Sequence, residues 1–409
     1  MAPAVAATIF LALVTPAFVS GQYPTGDSFV ECVPPQHATD MRTNKDQLVV
    51  ATWNLEWYVQ STECYSAFAS FRNLLCPGYL ITNPPTQTAD QELSRNCKLA
   101  STISRQQLQI CSQYVASAVY WTQATRHDFS PQDILNANEI EGCFMLNRFF
   151  NGSSPTVPHT YSIGVGDTDD SGTGQKLGLM ARVPFTSGML FSKERADTPA
   201  PNSRCGWVRS TDTGASKHYV TRLQAAPFGT IVVGGVHFKA GPNDPASCAQ
   251  REGQALVFID AVHSLVNATR ASSGSEPHII VTGDFNDFSN DPAARDSESN
   301  DANSRVLQWI QERLDLRPVS AVLPQADRYT YGASSSFPAS QLDHMLVTPG
   351  LFSKLQSVSI NRSASIFPSL TDHAPLVAVF DVNTERAVPP ATAQCSWLPF
   401  QPPSCGCGG

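Results

Sequence analysis

Five short polar clusters carry the residue types that phosphate-ester chemistry requires. They are Thr52-Trp53-Asn54-Leu55-Glu56, Asn138-Glu139-Ile140-Glu141, Val236-His237-Phe238-Lys239, Gly283-Asp284-Phe285-Asn286-Asp287, and the pair Leu342-Asp343-His344 with Thr371-Asp372-His373. Hydrolysing such an ester means neutralising charge on the phosphoryl oxygens, placing a water in line and stabilising the leaving oxygen. A hard cation does the first, and it takes carboxylate and amide oxygens rather than thiolates. A histidine held by a carboxylate does the second, because the carboxylate fixes its tautomer and supports its charged form. Singly, each cluster is also what a strand end or turn uses as a cap. Together they have the composition of a site drawn from several strand ends along one sheet edge.

Apolar, β-branched runs precede or adjoin these clusters. Residues 48–52, 229–234, 278–282, 345–347 and 375–380 read as core strands. Apolar residues at helical spacing predict a helix over 99–125, with Ile103, Tyr114, Val115 and Trp121 on one stripe, and another over 252–266, with Leu256, Ile259, Val262 and Val266. Strands alternating with helices imply an α/β layered domain. The run Gly166-Asp-Thr-Asp-Asp-Ser-Gly172 starts like a calcium loop but has Gly178 where the closing carboxylate belongs, so it reads as a solvated loop.

With 409 residues, 42% of them hydrophobic and 15% charged, the chain can bury a large core and is not disordered as a whole. Its net charge of −8 argues against a clamp holding nucleic acid by charge alone, but not against one groove with its own cations. The apolar run 4–14 is too short to span a bilayer, and Val19-Ser20-Gly21 suits cleavage before Gln22. Residues 1–21 therefore read as a signal peptide, although its first residues lack Lys and Arg, and the mature chain is expected outside the cell with no membrane insertion. Eleven cysteines fit an oxidising compartment. The odd number leaves one free or available for a bond to another molecule, on what is otherwise expected to be a monomer. Asn151, Asn267 and Asn361 head glycosylation sequons. An extension covers 22–45, and Cys64, Cys76 and Cys97 mark 60–98 as an insertion stapled toward Cys111. The Pro-rich 383–409 holds Cys395, Cys405 and Cys407, and Cys205 and Cys248 are expected to pair across the loops beside His237.

The Trp53-Asn54, Asn138-Glu139-Ile140, Gly283-Asp284-Phe285-Asn286, Leu342-Asp343-His344 and Thr371-Asp372-His373-Ala374-Pro375 segments resemble, in order and spacing, the endonuclease/exonuclease/phosphatase superfamily, which includes deoxyribonuclease I. The resemblance covers 46–382 and is most similar to secreted, extracellular nuclease-type members. It implies a four-layer α/β/β/α sandwich of two packed mixed sheets, and dependence on magnesium, manganese or calcium. It further implies that Glu139, Asn54 and Asp372 serve the metal, with Glu141 a possible second carboxylate on the same strand face. His373, oriented by Asp343, would be the base or phosphate partner, and His237 a leaving-group acid or phosphate donor. Asp284 and Asn286 would position water and phosphoryl group, and Arg222, Lys239 and Arg251 are candidate phosphate contacts. Asn138 stands where Gln is usual and Thr371 where Ser is usual; both keep a polar group. The implied function is a phosphodiesterase acting on nucleic acid, DNA and RNA both being open. A secreted sphingomyelinase-like enzyme is the alternative, and a binding protein on a decayed enzyme scaffold is a third reading. Gln341-Leu342-Asp343-His344 argues against phosphoinositide phosphatases, and no residue among Glu139, Asp284, Asn286, Asp343 and His373 has been lost.

Overall fold

A computed structural model describes residues 30–31, 38–55, 132–140, 161–166, 176–241, 244–287, 304–332, 339–362 and 371–389. The elements in chain order are β1 (Val30–Glu31), β2 (Gln47–Asn54), β3 (Ile134–Ile140), β4 (Ser162–Val165), β5 (Lys176–Ala181), β6 (Arg195–Thr198), β7 (Thr211–Gly214), β8 (His218–Ala225) and β9 (Gly229–His237). They continue with α1 (Pro245–Ser273), β10 (His278–Asp284), α2 (Val306–Leu314), β11 (Arg317–Pro318), β12 (Asp343–Val347), α3 (Pro349–Phe352), β13 (Leu355–Ile360) and β14 (Leu376–Asp381).

Two mixed sheets result, ordered β1-β4-β5-β3-β2-β14-β13 and β11-β12-β10-β9-β8. The pairs β2–β3 and β9–β10 are parallel and the remaining neighbours antiparallel. Side-chain alternation explains why the sheets stack. Leu48, Val50, Ile134 and Leu179 of the larger sheet meet Ile231, Val233, Ile280 and Val347 of the smaller one in a shared core. The intervening residues Val49, Ala51, Trp53 and Leu135 face the other way and are buried as well.

On the far face of the smaller sheet, Phe258, Ile259 and Val262 of α1, with Trp309 and Ile310 of α2, pack over Val232, Val281 and Leu346. Each such fully buried side chain contributes roughly 1.5–3 kcal/mol relative to exposure. The helix α1 is seven residues longer at each end than its apolar stripe predicts, because its ends are marked by caps. Asp244 accepts from the Ala246 and Ser247 N–H groups, Pro245 fills the first turn, and Gly274 closes the helix at φ 66°.

The four-layer expectation is met for the helical layer on the smaller sheet and for both sheets. The helix expected over 99–125 lies outside the described residues, as do the signal segment, the 60–98 insertion with Cys111, the 167–175 loop, Asn151 and most of the Pro-rich tail. Among the described residues no helix is long and apolar enough to cross a membrane. The expected pair Cys205–Cys248 is formed, with Cα atoms 5.6 Å apart.

Candidate active site at the open edge of the sandwich

Topology alone brings the polar clusters to one edge. The parallel strands β2, β3, β9 and β10 end there at Asn54, Glu139-Ile140, His237 and Asp284. The antiparallel strand β12 begins there, so Asp343 pairs directly with Asp284, which also pairs with His237. Leu376 of β14 pairs with Thr52, which places 371–373 beside Asn54.

Local backbone features aim the side chains. Simple alternation would turn Glu139 away from the inter-sheet face that Asn136 and Asn138 share. Instead the β3–β5 register slips between Ala137 and Ile140, and Glu139 adopts φ 59°. Glu141, expected on the same face as Glu139, lies outside the described residues, as does Glu56. Gly283 has φ 145°, and a Cβ there would lie 2.0 Å from the Val236 carbonyl oxygen, so no other residue can precede Asp284. Asn286 takes the left-handed region at φ 47°, its N–H donating to Asp284 Oδ1 and its side-chain amide to the Phe238 carbonyl. Thr371 explains why a hydroxyl suffices at that position: it donates to the Asn54 carbonyl and accepts from the His373 N–H. The Trp53 indole N–H holds the His373 carbonyl at 3.0 Å.

The contacts that define the site cross from one sheet to the other. His373 Nδ1 and Asp343 Oδ2 are 2.6 Å apart. The Asn54 side-chain amide donates both to Glu139 Oε1 at 3.2 Å and to Asp284 Oδ2 at 3.0 Å. His237 Nε2 stands 3.5 Å from Glu139 Oε1 and 3.8 Å from Asp284 Oδ2. His373 Nε2 lies 3.8 Å from both Asp284 Oδ2 and Asp372 Oδ1. Ligand-type atoms of Asp284, Asp343 and His373 fall within 4.8 Å of one another, and all three residues are buried.

Crowded carboxylates set the electrostatics. Burial alone would push the His373 imidazole down; Asp343, through its charge and hydrogen bond, with Asp284 and Asp372, outweighs burial and raises it to about 10. Burial pushes Asp284 up to about 7, aided by Asp343 and opposed by His373. Burial also raises Glu139, against the Asn54 hydrogen bond and His373. The second Asp343 oxygen is buried without a hydrogen-bond partner. Anionic oxygens gathered this closely fit a hard divalent cation, which would balance their charge. The family resemblance assigns it to Glu139, Asp372 and Asn54; in the structure the Asn54 amide donates its NH2 to Glu139 and Asp284, and among the described residues the tightest group of ligand-type atoms is that of Asp284, Asp343 and His373.

Asn54, Glu139, His237, Asp284, Asn286, Asp343, Asp372 and His373 are thus brought together as expected. Lys239 follows His237 closely and is exposed. Two candidate phosphate contacts are corrected. Arg222 pairs with Val232, five residues short of the His237 strand end, and its guanidinium binds Thr186 and Ser272. Arg251 is fully buried and donates to the Lys239 and Gly241 carbonyls, so it braces the loop after His237 and cannot reach a substrate. Of the sequons, Asn267 sits exposed on α1 and Asn361 follows β13.

Sequence reasoning missed the 330–331 segment. The Thr330 hydroxyl accepts from the Leu342 and Asp343 N–H groups, and the Tyr331 ring meets His373 edge-on at 5.0 Å. The signal was present in Arg328-Tyr329-Thr330-Tyr331, an aromatic-polar run shortly before Leu342-Asp343.

A model of the Endonuclease/Exonuclease/phosphatase family matches residues 126–373, more than half of the chain and every one of these site residues except Asn54. Among solved structures, an AP endonuclease from Leishmania major is similar at 12% identity and TM-score 0.49, over 86% of this chain and 93% of that one. A family protein from Beutenbergia cavernae shows 15% identity and TM-score 0.44, over 82% and 71%. A 3'-5' exonuclease from Neisseria meningitidis shows 17% identity and TM-score 0.43, over 65% and 96%. A comparison with curated protein sequences gives no match.

Proposed function

The chain belongs to the Endonuclease/Exonuclease/phosphatase family, and on that premise we propose that it is a secreted, divalent-metal-dependent nuclease hydrolysing phosphodiester bonds of DNA or RNA. Metal-dependent phosphoester hydrolysis is the family's chemistry; the nucleic-acid substrate and the export are this reading's own. The observation that carries it is the 2.6 Å contact of His373 with buried Asp343, facing the Glu139–Asn54–Asp284 oxygen cluster.

Magnesium, or manganese or calcium in its place, would be held by Glu139, Asp372 and Asn54 and would supply charge neutralisation at the phosphoryl oxygens, worth several kcal/mol. The protein's own groups do the rest. Nδ1–H of His373 is fixed on Asp343; with the charge of Asp284 and Asp372 offset by a bound cation, the imidazole would be neutral and its Nε2 would take the proton of the attacking water. Asp284 and Asn286 orient that water and the phosphoryl group. His237, whose Nε2 faces the same carboxylates, donates toward the leaving side, and exposed Lys239 lies beside it as a backbone contact. Export is supported by the apolar 4–14 run and by the Cys205–Cys248 bond, since such bonds persist in oxidising compartments.

The test is to incubate purified protein with plasmid DNA, RNA and sphingomyelin, with and without magnesium and with excess chelator. Cleavage of polynucleotide only with metal is expected. Full hydrolysis in excess chelator would overturn the metal requirement, and sphingomyelin turnover without polynucleotide cleavage would replace the nuclease reading by a lipid phosphodiesterase.

A further inference from the structure

The site is assembled from two sheets, so its geometry depends on how they are held apart. Asn54, Glu139, Asp372 and His373 come from the larger sheet or its flank, and His237, Asp284 and Asp343 from the smaller. One residue layer beneath them, before the apolar core begins, the Tyr219 hydroxyl of β8 donates to Asn136 Oδ1 of β3 at 2.7 Å. The Asn136 amide in turn donates to Thr52 Oγ1 at 3.1 Å and to Asn138 Oδ1 at 2.9 Å. Thr52 lies two residues before Asn54 and Asn138 one before Glu139, and the Asn138 carbonyl takes the Leu55 N–H.

Space for this bridge is built in. A Cβ on Gly235 of β9 would lie 2.2 Å from the Tyr219 ring and 2.5 Å from Asn136 Oδ1. Tyr219 and Asn136 are both fully buried. Burial pushes the Tyr219 hydroxyl well above the ordinary tyrosine range, so it remains a donor throughout. A buried hydroxyl and a buried amide at this depth are costly unless paired. An aliphatic pair would fill the same space without fixing a distance. The bond ties β8 of the smaller sheet to β3 of the larger, one layer beneath Glu139 and Asn54.

We propose that Tyr219 and Asn136 are positioning residues whose inter-sheet hydrogen bond sets the spacing between Glu139 and Asn54 on one sheet and Asp284 and His237 on the other. This rests on reading the edge as a divalent-metal phosphoesterase site. The bond acts through strand placement and touches no substrate.

Manganese binding, followed by the paramagnetic signal of the free ion, tests it independently of hydrolysis. Tyr219→Phe is expected to weaken manganese binding about tenfold, in the range seen when groups supporting metal ligands are removed, and to lower kcat at saturating metal. Ile280→Val, in the same inter-sheet core and four residues below Asp284, removes one methylene and should leave the manganese Kd within twofold. Asn136→Ser, which also removes the amide's bonds to Thr52 and Asn138, should weaken binding at least as much as Tyr219→Phe, and the double variant should lose little more than Asn136→Ser alone, because the inter-sheet bond is shared by both. A manganese Kd for Tyr219→Phe no weaker than for Ile280→Val, or fully additive losses in the double variant, would overturn the proposal. Wild-type protein that binds manganese in this manner but hydrolyses no phosphodiester would instead remove the functional reading and leave the positioning role standing.

Discussion

Two groups of buried polar side chains flank the crossover from β9 through α1 to β10, and they use burial in opposite ways. Under the first turns of α1, the Arg251 guanidinium binds the Lys239 and Gly241 carbonyls, Gln254 accepts the Lys239 N–H, and Glu252 accepts the Arg305 N–H. Nearby, His218 gives Nδ1–H to the Ala215 carbonyl and accepts the Ser192 N–H, packed against Phe191 and Phe258. These groups answer mostly backbone, and they hold the loops around α1 in place. At the sheet edge the carboxylates and histidines face one another as well as the Asn54 amide, with His373 on Asp343 and His237 near both Glu139 and Asp284. Two of the buried histidines make the contrast quantitative. Burial with only backbone partners drives His218 down to about 4, whereas surrounding carboxylates carry His373 up to about 10. Depth does not make a site. A surplus of like charge waiting for a counter-ion does.

The largest effect that can break this comparison belongs to the edge. His373→Ala should lower turnover by about two to four decades, and Asp343→Asn should fall in the same range because the imidazole loses its tautomer and charge partner. Near wild-type turnover of His373→Ala would put the two regions on the same footing.

Next is Arg251→Leu, which strips two backbone carbonyls of a charged donor. Denaturant titration should show a stability loss of about 2–4 kcal/mol, while the metal concentration for half-maximal activity stays within about threefold. A loss of metal dependence at unchanged stability would make Arg251 part of the site after all.

The smallest effect is in the pH dependence of stability. The folded-state pKa of His218 is depressed from 6.5 to about 4, so its neutral form stabilises the fold above pH 6.5 and that contribution fades as pH falls toward 4. His218→Asn should therefore lose progressively less relative to wild type as the pH is lowered through this window. A gap between the two that widens toward pH 4 would contradict the neutral, backbone-bound His218.

What the sequence made legible follows from the range of the forces involved. Strands ending in Gly283-Asp284-Phe285-Asn286 or leading from Thr371-Asp372-His373 stand out because apolar runs stop abruptly at charge. The ends of α1 were readable in Asp244-Pro245 and Gly274, had caps been weighed beside the apolar stripe. Three features were hidden. The bulge at Glu139 arises from pairing with β5, which no local pattern reports. The fate of Arg251 depends on which carbonyls the loop after β9 turns inward. Arg222 differs from a true edge residue only in its register along β8, a matter of a few positions that a single sequence does not fix.

The strand order of the larger sheet also has a consequence in time. β14, from residues 376–381, lies beside β2, from residues 47–54, and that pairing helps bring His373 up to Asn54 and Asp343. A chain emerging from the ribosome therefore holds no complete active edge until its residue 373 has been made and β14 has slotted in next to β2. Every shorter nascent chain lacks the His373–Asp343 contact, so the edge is completed late, by one of the last strands of the domain to be made.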